Sequence, residues 1–162
     1  IYIIMKKNIL RWLFIGFVSA GLFACDSGRV YKKYTGIPEY VWNRDNVVVF
    51  RPEIKDDTST YNVILTVRHS TMYPYRNILV NVEQISPSGE SENKEFNVFL
   101  RDDNNSFLGE GAGDIWDYEE IIEKNKIFNE PGEYTFKVRH LMTEDQVPFM
   151  MEIGLIIENA EN

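Results

Sequence analysis

The sequence predicts an all-β protein, a single antiparallel β-sandwich of immunoglobulin-like or jelly-roll-like build, behind an N-terminal export signal. Three observations carry this. Several runs alternate apolar and polar residues with period two, the mark of strands with one face in a core. Clusters of Pro, Gly, Asp, Asn and Ser separate them at sandwich spacing. With one cysteine in 162 residues no internal disulfide can form, so stability must come from a packed core.

Taken in order, the chain first shows a targeting segment. Residues 1–4 read as a start-site artefact ahead of Met5. Lys6, Lys7 and Arg11 form a basic region, and Trp12 to Ala24 an apolar run. A basic stretch followed by ~7–15 apolar residues is a secretion signal. A bilayer-crossing helix needs ~20 apolar residues, and Arg11 interrupts any longer count. The run ends Leu22-Phe23-Ala24-Cys25. Leucine three places before a cysteine and a small residue directly before it form a lipobox, where a peptidase cuts and the thiol accepts diacylglycerol. Phe23 is bulkier than usual at its place. Cys25 is thus expected to be the first residue of the mature protein and its lipid attachment site. An ordinary signal peptide with a coincidental cysteine would leave an unpaired thiol unexplained.

Loss of residues 1–24 removes Lys6, Lys7 and Arg11. With 14 basic and 25 acidic residues left, the net charge falls from −8 to −11. So acidic a body argues against nucleic acid and against direct adhesion to anionic lipid surfaces. The expected hold on the bilayer is the acylated Cys25. Residues 25–45 read as the lipidated tether and N-terminal segment, and 46–160 as the sandwich domain.

Val47 to Phe50 is a first short strand of that domain. In Tyr61 to His69, the residues Tyr61, Val63, Leu65, Val67 and His69 share a face. Arg76 to Ile85 follows, with Ile78, Val80 and Val82 in register. Glu95 to Leu100 is shorter; Gly132 to His140 aligns Tyr134, Phe136, Val138 and His140. Met150 to Glu158 is apolar nearly throughout, as a central strand is. Turn chemistry lies at Pro87-Ser88-Gly89, at Asp102 to Ser106 and at Glu130-Pro131-Gly132. Ile115 to Phe128 stays open between a helical turn or two and an irregular strand.

Chemistry-bearing patterns are sparse. No G-x-S-x-G elbow, Walker loop or H-E-x-x-H motif is present. His69 and His140 each end a Val-Arg-His triplet on an apolar face. Two histidines fall short of the three or four ligands of a stable zinc site, so each reads as a histidine at the edge of the core, and no metal or cofactor is expected. From Asp102, the sixth and twelfth places of an EF-hand loop hold Phe107 and Gly113; from Asp103 they hold Leu108 and Asp114. Calcium coordination there requires Gly and Glu. Asp56 with Asp57, Asp114 with Asp117 and Glu119 with Glu120 could serve a glycosidase only across a cleft, and an excess of acid produces such pairs by chance. The protein is expected not to be an enzyme. Tyr73, Tyr75, Trp116 and Tyr118 read as loop aromatics beside acids, a surface suited to glycan or peptide ligands. The alternative is that these rings cover the ends of the core.

Segments of the mature chain carry a family resemblance: Cys25-Asp26-Ser27-Gly28-Arg29-Val30-Tyr31, the strand Asn62 to His69 leading into Tyr73-Pro74-Tyr75-Arg76-Asn77, and Leu108-Gly109-Glu110-Gly111-Ala112-Gly113-Asp114. Pro131-Gly132-Glu133-Tyr134-Thr135 and Arg139-His140-Leu141-Met142 follow in order. The sequence resembles the H-type gliding motility-associated lipoproteins of the Bacteroidetes, the GldH-like family. The resemblance implies a membrane-anchored, non-enzymatic component of gliding, associated with envelope proteins for motility and secretion. Only Cys25 carries over with a defined role, and relatives also occur in bacteria that do not glide. Asp26 stands alone after the cysteine, followed by Arg29, Lys32 and Lys33, whereas surface-exported lipoproteins of this group tend to carry an acidic cluster there. The expected place is the outer membrane, with the domain facing the periplasm. Gly109, Gly111 and Gly113 read as a tight connection between the two sheets.

Overall fold

In a computed structural model, residues 28–160 are described, and strands dominate them. They are β1 (Arg29–Gly36), β2 (Val41–Asn43), β3 (Val48–Phe50), β4 (Glu53–Ile54), β5 (Thr60–Ser70), β6 (Asn77–Ile85) and β7 (Ser91–Phe99). After these come β8 (Glu110–Ala112), β9 (Ile115–Ile127), β10 (Gly132–Glu133), β11 (Thr135–His140), β12 (Gln146–Pro148) and β13 (Met150–Asn159). One 3₁₀ turn, Pro38–Tyr40, links β1 to β2. Cys25 and the signal segment lie outside the described residues.

The strands form two principal antiparallel sheets, in the orders β1-β13-β5-β9-β8 and β3-β11-β6-β7. Two short pairs, β10-β4 and β12-β2, complete the pairing. The expected all-β sandwich is what the chain forms. Alternation explains the inner faces: Val63, Leu65 and Val67 stand opposite Ile157, Leu155 and Ile153 across β5 and β13. All six are essentially buried, as are Ile78, Val80, Val82, Phe136 and Val138 of the other sheet. Each such side chain contributes ~1.5–3 kcal/mol of hydrophobic stabilisation. β13 lies between β1 and β5, and its outward Ile156 is also fully buried, in keeping with its continuous apolar sequence.

Three segments differ from the sequence reading. The ambiguous stretch is a strand: β9 pairs with β5 from Thr60↔Ile127 to Ser70↔Ile115. The expected strand Gly132 to His140 divides at Tyr134, where pairing to β4 gives way to pairing with β3 and β6. Residues 29–36, read as part of the tether and N-terminal segment, form edge strand β1, paired with β13 from Arg29↔Glu158 to Gly36↔Glu152 with a register shift between Arg29 and Tyr31.

Candidate functional site

The end of the sandwich where β5 turns into β6 collects the aromatic side chains singled out in the sequence. Tyr73 is in that turn, yet it is only 1 % exposed. Its hydroxyl donates to the Asn77 carbonyl at 2.9 Å, and burial drives its pKa far up. Tyr75, half-buried, meets Tyr73 edge-on at 5.5 Å. Trp116 and Tyr118 belong to strand β9 rather than to a loop, and they face inward opposite His69 and Val67. Trp116 stacks on Phe107 with ring centres 4.9 Å apart. The Tyr118 hydroxyl donates to Glu120 at 2.6 Å; burial and that carboxylate push its pKa up to about 12.

Two residues not identified from sequence organise this cluster. The Arg101 guanidinium lies 4.4 Å above the Phe107 ring and donates to the Tyr73 carbonyl at 3.0 Å. Phe107 also lies 5.8 Å from His69. Arg101 and Phe107 pair as an isolated bridge across the Asp102–Ser106 turn, and their flanking of that turn was the available signal. The glycine-rich segment closes the wedge. β8 pairs back on β9, Gly111 opposite Trp116, and a Cβ at Gly111 would lie 2.6 Å from the indole. Gly109, at φ +89°, brings its Cα so near Asp117 that a Cβ would fall 2.1 Å from the Asp117 carbonyl oxygen. These glycines therefore form a hairpin reached after the chain crosses from β7 to the other sheet. The rings cover the end of the core and lie against one another.

The histidines occupy opposite sheets, His69 on β5 and His140 on β11, and both are fully buried. Nδ1 of His69 lies 2.9 Å from the Ser70 carbonyl, while its Nε2 lacks a hydrogen-bond partner among the described residues. Burial lowers both pKa values. Among the described residues, no group of three His, Cys, Asp or Glu side chains converges as a metal set.

The carboxylates hold the frame. Asp117 receives two hydrogen bonds from Arg68, at 2.7 and 3.0 Å. Asp102 accepts the Asn104 and Ser106 amides at 2.9 and 2.8 Å, so the acidic turn satisfies itself. Asp56 accepts from Ser59 and Thr58, and those hydrogen bonds lower its pKa to about 2. Glu83, Glu92 and Glu130 are likewise shifted down, led by hydrogen bonds from Lys137, Lys94 and Ser88. A general acid needs the opposite displacement. Among the described residues, clefts open on the flanks of the sandwich. One of about 350 Å³ is lined by Glu92, Lys126, Phe128, Glu130 and Tyr134; an open one of about 640 Å³ is lined by Tyr31, Arg51, Glu53, Lys55 and Asp56. In the open cleft the Ser59 hydroxyl donates to Asp56 at 2.5 Å, the leading cause of that carboxylate's lowered pKa.

Kinship decides the identification. The family model described as GldH lipoprotein matches residues 29–157, from the first residue of β1 almost to the end of β13. The chain belongs to the GldH lipoprotein family. It is 27% identical over 146 residues to the "Gliding motility lipoprotein GldH homolog" of Christiangramia forsetii, spanning 86% of this chain and 89% of that one. The "Gliding motility lipoprotein GldH" of Flavobacterium johnsoniae is 26% identical over 123 residues, 76% of each chain. Among solved structures, the Yersinia pseudotuberculosis-derived mitogen covers 82% of this GldH-family chain and 88% of its own, at 8% identity and TM-score 0.35. The infectious bursal disease virus VP2 subviral particle covers 85% and 34%, at 14% identity and TM-score 0.39. Scores this low stop short of a shared fold.

Proposed function

We propose that this GldH-family protein is a non-enzymatic accessory lipoprotein of the gliding and cell-envelope machinery. It is cleaved before Cys25, acylated there and anchored in the outer membrane, with its sandwich in the periplasm docking to envelope proteins. The carrying observation is the family match over residues 29–157, beginning four residues after the lipobox cysteine. Two features support docking over glycan or peptide capture by loop aromatics. Tyr73 lies in the core, and Trp116 stacks on Phe107 instead of presenting an open platform.

Deletion of the gene in a gliding host is expected to abolish surface spreading, and complementation with Cys25→Ser to leave it abolished, with the protein recovered in the soluble fraction. Normal spreading of the deletion strain refutes the motility role. Retention of the serine variant in membranes refutes the anchor. Protease treatment of intact cells should leave the domain whole; its loss would place it outside.

A further inference from the structure

We propose that β1 is the membrane-facing edge of the domain, with its basic side chains seated on anionic lipid headgroups. The proposal rests on Cys25 being the acylated residue. Arg29, the first residue of β1, lies four residues beyond Cys25. Four residues of fully extended chain span ~14 Å at most, so the start of β1 is held close to the bilayer surface. β1 is also the terminal strand of its sheet, paired only with β13 among the described residues.

Charge selects this edge as the contact. From Ser27 to Pro38 the chain carries Arg29, Lys32 and Lys33 and no acidic residue, within a mature protein of net charge −11. The acids opposite on β13 are already engaged: Glu158 lies 3.8 Å from Arg29 and Glu152 3.6 Å from Arg68. Lys32 and Lys33 are both exposed. As neighbours on a strand they leave it on opposite faces, so their charges straddle the edge. Beside them on the strand lies an amphipathic side chain. Tyr34 is 40 % exposed, with Lys32 Nζ 5.4 Å from its ring centre. Long lysine stems and tyrosine rings suit the boundary between headgroups and water.

An added strand from a protein partner is the competing occupant of a free edge. Lysines on an edge strand oppose such pairing, while each contributes roughly fivefold to partition onto an anionic surface. The same two residues thus disfavour a strand and favour headgroups.

Lipidated protein extracted from its own membranes tests this after reconstitution into neutral phosphatidylcholine vesicles and into vesicles enriched in phosphatidylglycerol. Acetylation with an impermeant reagent, read by mass spectrometry, reports each lysine, and the same spectra report the mass of Cys25. Lys32 and Lys33 should react roughly fivefold more slowly on the anionic vesicles, with exposed Lys124 of β9 unchanged. Lys32→Glu should return Lys33 to its neutral-vesicle rate. Equal rates on both vesicles overturn the proposal. So does protection confined to intact envelopes, which would assign the edge to a protein partner. An unmodified Cys25 overturns the anchor reading itself, and its mass separates that failure from the others.

Discussion

Lys126 Nζ lies 2.6 Å from Glu123 Oε2, and this pair closes a ring of four alternating charges between the sheets. The other oxygen of Glu123, on β9, receives Lys94 of β7. Lys94 is 3.0 Å from Glu92, whose second oxygen is 3.8 Å from Lys126. The ring bridges β7 and β9, which belong to different sheets, and so holds the sandwich shut where neither sheet has a further long strand. Lys126 and Glu123 are only 12% and 15% exposed, whereas Glu92 is 51% exposed. Removing the sheltered partner strands a desolvated ammonium, so Glu123→Gln should cost about 1–3 kcal/mol; Glu92→Gln should cost about 0–1 kcal/mol. Urea unfolding at low and high salt checks this. Salt should erase most of the Glu92 effect and little of the Glu123 effect.

Acid should weaken the fold through His69 and His140. Both folded-state pKa values lie below the ordinary 6.5 because burial penalises the imidazolium. Arg101 opposes and Asp117 favours the charged form of His69; Arg44 and Asp145 play those parts for His140. As pH falls through 6.5, the unfolded chain takes up protons that the folded chain refuses, so the equilibrium moves toward unfolding. The stability present at pH 7 should decline below pH 6.5, at up to about 1.4 kcal/mol per pH unit for each histidine. Denaturant midpoints measured across that range, with and without His140→Phe, check it. A flat profile in the parent protein would contradict it.

Period-two alternation revealed β5 and β6, whose alternate residues Val63, Leu65, Val67 and Ile78, Val80, Val82 are buried, while β13 was legible from its nearly continuous apolar run. β9 concealed itself for a physical reason. Its pairing with β5 shifts register between Tyr61, Val63 and Ile64, so Ile121 points out at 48% exposure while Ile122 packs against the core. Such a bulge breaks alternation and imitates a helical pattern in Glu119 to Lys124. β1 offered too few apolar residues to look like a strand, since an edge strand buries little. The site was legible in its parts only: the turn position of Tyr73 could be read, but Phe107 meets Trp116 and Arg101 through long-range packing that spacing does not encode.

The glycines of the β8–β9 hairpin should respond in a set order. At Gly109 a methyl group meets backbone at 2.1 Å, at φ +89°. Neither can yield without moving β9, and Gly109→Ala should cost about 2–4 kcal/mol. At Gly111 the obstacle is the Trp116 ring, which can shift off Phe107, so Gly111→Ala should cost about 1–3 kcal/mol and alter tryptophan fluorescence. Gly113 has open space around it and only its φ of +64° to defend, so alanine there should cost about 1 kcal/mol. Thermal or urea melts of the three variants would reverse this order if the hairpin were not packed as described.

Phe107 and Tyr73 make separable contributions to the closed end of the sandwich. Phe107 carries a stacked Trp116 on its ring and the Arg101 cation at 4.4 Å. Phe107→Ala should therefore cost about 2–4 kcal/mol and expose Trp116 to aqueous quenchers. Tyr73→Phe keeps the buried ring and removes only the hydroxyl that donates to Asn77 O, a loss of about 1–2 kcal/mol. Because Arg101 touches both Phe107 and the Tyr73 carbonyl, the double variant should depart from the sum of the single effects by about 0.5 kcal/mol or more. Strict additivity in a double-mutant cycle would mean that Arg101 does not couple the two rings.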